Sequence, residues 1–118
     1  MKTQKQIEKI LTDVIGALEF SFKKDSLKFI KRKTKNEKEY IDVHVNSSFG
    51  DKQELFATLW KGKYSTGQKY WAVSLDGASG YDYLSYEAEF GQDKKAISVL
   101  ENNYNIDWHS HYRFNILN

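Results

Sequence analysis

The sequence predicts a single α+β domain, 1–118, in which two helices pack on one face of an antiparallel sheet. Three observations lead to this fold class. An apolar stripe with helical spacing lies near the N-terminus, several segments alternate between apolar and polar residues, and short polar connections separate those segments. The length of 118 residues fits one domain. Because 15% of the residues are aromatic, the chain can bury a core without disulfides.

The first predicted element is an amphipathic helix that ends near Leu18. Its apolar side chains recur at intervals of three and four residues: Ile7, Ile10, Leu11, Val14, Ile15 and Leu18. Thr3 is a suitable N-cap residue, and Gln6 stands three positions later, as in a capping box. Lysine and glutamate are mixed on the polar side, so we expect the stripe to pack on a sheet and not on a membrane.

An antiparallel meander of four to five strands should follow the helix. Strand patterns cover residues 27–33, 40–46, 55–60 and 70–75, and short turns join them. A second helix is predicted near 92–103, where Ala96, Ile97, Val99 and Leu100 supply the apolar positions. Alternation from Trp108 to Leu117 favours a C-terminal strand. The segment between Asp76 and Phe90 fits either a strand or an irregular surface loop.

Charge is distributed unevenly along the chain. The net formal charge is +2, yet residues 1–38 hold eleven basic and five acidic side chains, and residues 39–118 hold seven and eleven. A whole-chain charge this close to zero argues against tight nonspecific DNA binding. The basic excess centres on residues 23–38, where Lys28, Lys31, Arg32, Lys33 and Lys35 could contact nucleic acid. Lysines on an edge strand also prevent sheet-to-sheet aggregation, so a purely structural role is the competing interpretation.

The acidic counterpart is rich in tyrosine. Within residues 76–90 we predict a partner-binding surface made of Tyr81, Asp82, Tyr83, Tyr86, Glu87 and Glu89. Tyrosine is enriched at protein interfaces because its ring is rigid, large and polar at one end. The neighbouring carboxylates suit a basic protein partner. The alternative is a loop held on the sheet by its own tyrosines.

Sites for catalysis and cofactors are weakly indicated. The chain has no cysteine, which excludes thiol catalysis, zinc–thiolate sites and disulfides. In a single strand His109 and His111 would share a face, where His44 with Asp42 or Asp107 could complete a metal site; ordinary surface histidines are the competing interpretation. Residues 62–69 lack the lysine of a phosphate loop and lead into a strand, which predicts a hairpin. We therefore expect a protein that is not an enzyme and uses no cofactor.

A family resemblance covers the first half of the chain. Phe20-Ser-Phe-Lys-Lys, Leu27-Lys-Phe-Ile-Lys-Arg-Lys and Tyr40-Ile-Asp-Val-His-Val-Asn-Ser-Ser follow one another along the chain. This succession resembles small bacterial α+β proteins of the toxin-immunity and mobile-element inhibitor type. The resemblance implies a non-enzymatic, cytoplasmic protein that blocks a toxin or a nucleic-acid-processing enzyme, and it transfers no catalytic residue. No apolar run long enough to span a membrane occurs, and oligomeric state is left open.

Overall fold

The structure is a computed structural model, whose described residues form two helices and one six-stranded antiparallel sheet. It describes residues 1–17, 22–23, 25–48, 50, 52–75, 91–110 and 113–117, with only the backbone described for 91–94 and 110. In chain order the elements are α1 (Gln4–Ala17), β1 (Lys28–Lys33), β2 (Glu39–Asn46), β3 (Gln53–Lys63), β4 (Lys69–Ser74), α2 (Gly91–Asn103), β5 (Ile106–Ser110) and β6 (Arg113–Ile116). The α+β class, the N-terminal helix, the meander and the second helix are confirmed.

Helix α1 begins where its capping residues stand in the sequence. The backbone N–H of Gln6 donates to Oγ1 of Thr3 at 3.2 Å, and the N–H of Thr3 donates to Oε1 of Gln6 at 2.8 Å. These reciprocal bonds satisfy two backbone donors at the helix start. The apolar stripe of α1, from Ile7 to Ile15, is buried.

Strand order in the sheet is β1-β2-β3-β4-β6-β5. The first four strands are neighbours in chain order because tight turns join them, and Gly67 in the β3–β4 turn adopts φ +93°. The chain then forms α2 before returning to the sheet. On its return β6 pairs with β4, and β5 takes the edge beyond it.

The predicted C-terminal strand is present, and the structure divides this segment into two strands, β5 and β6. Trp108 on β5 lies opposite Phe114 on β6, with ring centroids 4.8 Å apart, and both face the helices. Both residues are even-numbered, so the alternation of apolar residues contains no sign that two strands are present.

The sheet has two distinct faces. The helix-side face buries the main core, in which both helices pack on Ile41, Val43, Val45, Leu59, Trp71, Val73, Phe114 and Ile116. We call the opposite surface the open face, because α1 and α2 both lie on the other side. By strand alternation it carries Lys28, Ile30, Arg32, Tyr40, Asp42, His44, Thr58, Trp60, Tyr70, Ala72, Ser74, Arg113, Asn115 and Asp107.

Candidate functional site

The predicted partner-binding residues lie outside the part of the chain that the structure describes. They are Tyr81, Asp82, Tyr83, Tyr86, Glu87 and Glu89. Their role remains a prediction from the sequence. The described residues instead present two surfaces with functional chemistry, one on each face of the sheet.

The basic segment does not form one patch. Lys28 and Arg32 belong to the open face, whereas Lys31 and Lys33 belong to the helix-side face. Nε of Arg32 donates to Oδ2 of Asp42 at 2.6 Å, so this charge is paired across the β1–β2 ladder. Lys35 lies in the β1–β2 turn. Strand alternation therefore divides the predicted nucleic-acid-binding residues between two surfaces.

Part of the segment lines a groove of about 1200 Å³ at one end of the helix-side face. We call it the lysine groove, after the four lysines that line it: Lys31, Lys33, Lys38 and Lys61. All four are exposed. Gln4, the first residue of α1, lines one side. The lining also includes four residues whose side chains alternation directs to the open face: Arg32, Tyr40, Thr58 and Trp60.

Under the lysines the groove has a closed apolar floor. Ile41, Leu59 and Trp71 are 6%, 0% and 3% exposed. The ammonium of Lys61 lies 5.3 Å from the ring centroid of Trp71, and the indole N–H donates to the carbonyl of Lys2 at 2.8 Å. The Trp71 ring is thus covered and has no free face for stacking a ligand.

On the open face, Trp60 and Arg113 form a pair that crosses a strand. The guanidinium of Arg113 on β6 lies 5.0 Å from the ring centroid of Trp60 on β3. On β4, Trp60 is opposite the fully buried Ala72 and Arg113 is opposite Ser74, so the contact crosses β4 diagonally. The small side chains of Ala72 and Ser74 leave room for the two long ones to meet. This cation–π contact holds a half-buried tryptophan in a fixed orientation.

Beside this pair the rings of Tyr70 and Tyr64 lie close together. Gly62 on β3 is opposite Tyr70 on β4, and a Cβ at Gly62 would overlap the Tyr70 ring. The ring therefore lies across the glycine. Tyr64 packs on it with centroids 4.6 Å apart.

Tyr64 connects this aromatic pair to a polar cluster on β5 and β6. Its hydroxyl donates to Oδ2 of Asp107 and accepts from Nδ2 of Asn115 at 2.9 Å. The same Nδ2 lies 2.8 Å from Nε2 of His109, which is 3.3 Å from Oδ2 of Asp107. Asn115 is fully buried, although it belongs to the open face. The cluster ties the end of β3 to the two C-terminal strands.

Burial raises the pKa of Tyr64 above its usual value near 10. The hydrogen bond from Asn115 lowers this pKa, while the hydrogen bond to Asp107 and the charge of that carboxylate raise it. The phenol is thus held in its neutral form, in which it can donate to the carboxylate.

The suggestion that His44 completes a metal site with His109 is wrong. His44 lies on β2 and His109 on β5, with three strands between them. At about 4.8 Å per strand, their backbones are roughly 19 Å apart. An irregularity between Trp108 and Ser110 also interrupts the alternation that would align His109 with His111, which is outside the described residues. Among the described residues no three His, Asp or Glu side chains are grouped for a metal.

Sequence reasoning missed most of the residues that form these surfaces. Lys61 joins Lys31 and Lys33 only because three strands are adjacent, and Trp60 meets Arg113 from 53 positions away in the chain. One contact could have been predicted from the sequence. The predicted hairpin has Gly62 before its turn and Tyr70 after it, and the two residues are opposite each other in the structure.

Comparison with protein-family models, with curated proteins and with solved structures finds no match. The resemblance to immunity and inhibitor proteins is therefore a prediction from the sequence. Within the described residues, no helix has the length and apolar character needed to cross a membrane.

Proposed function

We propose that this protein is a non-enzymatic binding module of the immunity or inhibitor type, which acts in the bacterial cytoplasm by blocking a protein partner. The observation that carries the proposal is the open face of the sheet. There Tyr40, Trp60, Tyr70 and Arg113 are each half-buried, with part of every side chain accessible.

These residue types fit a protein-binding surface. Tryptophan, tyrosine and arginine are the side chains most enriched among the residues that dominate interface energies. Here they are also held in place before any partner arrives. Arg113 stacks on Trp60, and Tyr70 is confined between Gly62 and Tyr64. A preorganised aromatic surface loses less conformational entropy on binding.

The acidic tyrosine segment supplies the second part of the proposal. It follows directly on β4, the strand that carries Tyr70 and Ala72. Tyr81, Tyr83 and Tyr86 would act as further anchors. The carboxylates of Asp82, Glu87 and Glu89 would steer a basic surface of the partner towards them.

Affinity capture by the full chain, followed by titration calorimetry with the captured protein after purification, tests this proposal. We expect Trp60→Ala to weaken binding by about 2 kcal/mol, as for a central interface residue. The double change Tyr83→Ala with Tyr86→Ala should weaken it by a similar amount. Tyr104→Ala, on the helix side, is the matched aromatic control and should leave affinity unchanged. Circular dichroism on each variant verifies folding.

An assay of the purified partner's own activity tests the blocking role. Stoichiometric addition of this protein should inhibit the partner, and Trp60→Ala should shift the inhibition curve to higher concentration. A folded Trp60→Ala, Tyr83→Ala and Tyr86→Ala triple variant that binds and inhibits as tightly as the wild type would refute the proposed surface.

A further inference from the structure

We propose that the lysine groove binds the phosphate backbone of single-stranded nucleic acid without regard to base sequence. The lysines of this groove lie on the opposite face of the sheet from the protein-binding surface, and the inference does not depend on the proposed function. Of the nucleic-acid-binding residues predicted from the sequence, this site keeps Lys31 and Lys33, and it adds Lys38 and Lys61.

The groove has a clear excess of positive charge. Its lining holds Lys31, Lys33, Lys38 and Lys61, together with Arg32, whose guanidinium is paired with Asp42. Glu39 is the one acidic side chain among the lining residues, so the four lysines and Glu39 leave a net charge of +3. Lys33 has a long contact of 4.0 Å with Glu37, whose side chain is 84% exposed. A pair that is so open to solvent neutralises little of the lysine charge.

The lysines are spread along the surface and do not converge on one point. Lys31 and Lys33 stand two residues apart on the same face of β1, about 6.6 Å along the strand. Lys61 extends from β3, two strand spacings or about 10 Å across the sheet. Such a distribution suits a ligand that carries repeated negative charges, and is too wide for a single anion.

The start of α1 adds to this field. Gln4 lines the groove, and the first turn of α1 contains no acidic side chain. The partial positive charge at the helix N-terminus therefore lies beside the groove, and the first turn has no carboxylate to offset it.

The lysines of the groove impose no fixed geometry on a ligand. Each binds phosphate as a compact point charge on a flexible side chain, which suits a backbone whose phosphates have no rigid arrangement. Arg32 also lines the groove, but its guanidinium is paired with Asp42. A concave site also accommodates a flexible single strand more readily than a stiff duplex.

The covered floor explains why no base preference is expected. Single-strand binding proteins read or hold bases by stacking them on exposed aromatic rings. In this groove Trp71 is only 3% exposed, beneath Lys61. Binding should therefore depend on charge and fall steeply with salt.

Fluorescence anisotropy with a labelled oligothymidylate of about 16 nucleotides, the upper end of single-strand site sizes, tests the inference. For the full chain we expect binding at low salt. With three phosphates neutralised, log K should fall against log salt concentration with a slope of about −2. An oligoadenylate of the same length should bind within about twofold, because no base is stacked.

Charge reversal locates the site. Lys31→Glu with Lys33→Glu should reduce affinity at least tenfold and flatten the salt slope. Lys52→Glu, the same change at the opposite end of the sheet, is the control and should alter affinity less than twofold. If the double variant does not fold, Lys38→Glu in the exposed β1–β2 turn provides a second test and should reduce affinity several-fold.

Three results would overturn the inference. The first is the absence of oligonucleotide binding at low salt, and the second is equal affinity of the wild type and the groove variants. The third is displacement of the oligonucleotide by a polyglutamate peptide at equal charge concentration, which would identify an acidic protein surface as the ligand. The Tyr83→Ala, Tyr86→Ala double change should leave oligonucleotide binding unchanged, and the groove variants should leave protein capture unchanged, so the two proposals fail separately.

Discussion

At the residue scale, Gly62 is required because the ring of Tyr70 occupies the space of a side chain. Gly62→Ala would place a methyl group within the Tyr70 ring, so the ring would have to shift and its packing on Tyr64 would be disturbed. We expect a loss of about 1–3 kcal/mol in the free energy of unfolding, as for overpacking in a core. Urea denaturation measures it.

Gly16 provides the matched control for this substitution. No atom lies within 4 Å of a Cβ at Gly16, which is inside α1. Gly16→Ala should therefore stabilise the protein by about 0.5–1 kcal/mol, because alanine is the better helix former. If Gly62→Ala and Gly16→Ala changed stability in the same direction, the close approach of Tyr70 would not be the deciding contact.

Tyr64 makes stability depend on alkaline pH. Burial, followed by the effects of Asp107, raises its pKa in the folded state above the unfolded value near 10. A group whose pKa is raised on folding contributes stability that is fully present below the unfolded pKa. That stability is lost as pH rises through the folded pKa. Between pH 9 and 11 the wild type should therefore lose stability more steeply than Tyr64→Phe.

Urea midpoints measured across this pH range test the difference. At neutral pH Tyr64→Phe should be less stable by about 1–3 kcal/mol, because Asp107 loses its donor and Asn115 an acceptor. Burial also raises the pKa of Tyr104, so the Tyr64→Phe variant should still lose some stability at alkaline pH. Tyr40→Phe, outside the cluster, is the control. Parallel pH profiles for wild type and Tyr64→Phe would contradict this account.

At the scale of elements, α1 is defined by both its cap and its apolar stripe. Thr3→Ala removes the side-chain acceptor for the N–H of Gln6. The free energy of unfolding should fall by about 1 kcal/mol. Thr3→Ser retains the acceptor and should stay near the wild type. Thermal unfolding of the wild type, Thr3→Ala and Thr3→Ser distinguishes the loss of the capping hydrogen bond from a general effect of changing residue 3.

The start of α1 was predictable because its signals are local. Thr3 and Gln6 are three positions apart, and the apolar stripe repeats within single helical turns. The strands of the meander were predictable for the same reason. The C-terminal hairpin was not, because Trp108 and Phe114 stay in phase across the connection and the pattern contains no sign of the reversal.

At the scale of the whole molecule, the C-terminal strands complete the core and are not an appendage. β6 pairs with β4, and it places Phe114 and Ile116, 0% and 1% exposed, in the main core. Deleting residues 106–118 should abolish cooperative unfolding. Without β6, β4 would have an unpaired edge, and the core would lose the side chains of Phe114 and Ile116. Near-ultraviolet circular dichroism and urea titration measure this. Removing the 46% exposed Met1 should have no effect, and a truncated chain that unfolds cooperatively would show that the hairpin is dispensable.

The sequence by itself determined the elements and the sign of the charge along the chain, since helix periodicity, strand alternation and capping act over a few residues. Tertiary structure decided which side chains meet. The side chains of Lys31 and Lys33 point to one face of the sheet and that of Arg32 to the other, and Lys61 lines the same groove as Lys31 and Lys33. It also brought Arg113 to Trp60 and kept His44 from His109. The physical reason is that strand order and side-chain parity are set by burial of the shared core, so no local pattern contains them.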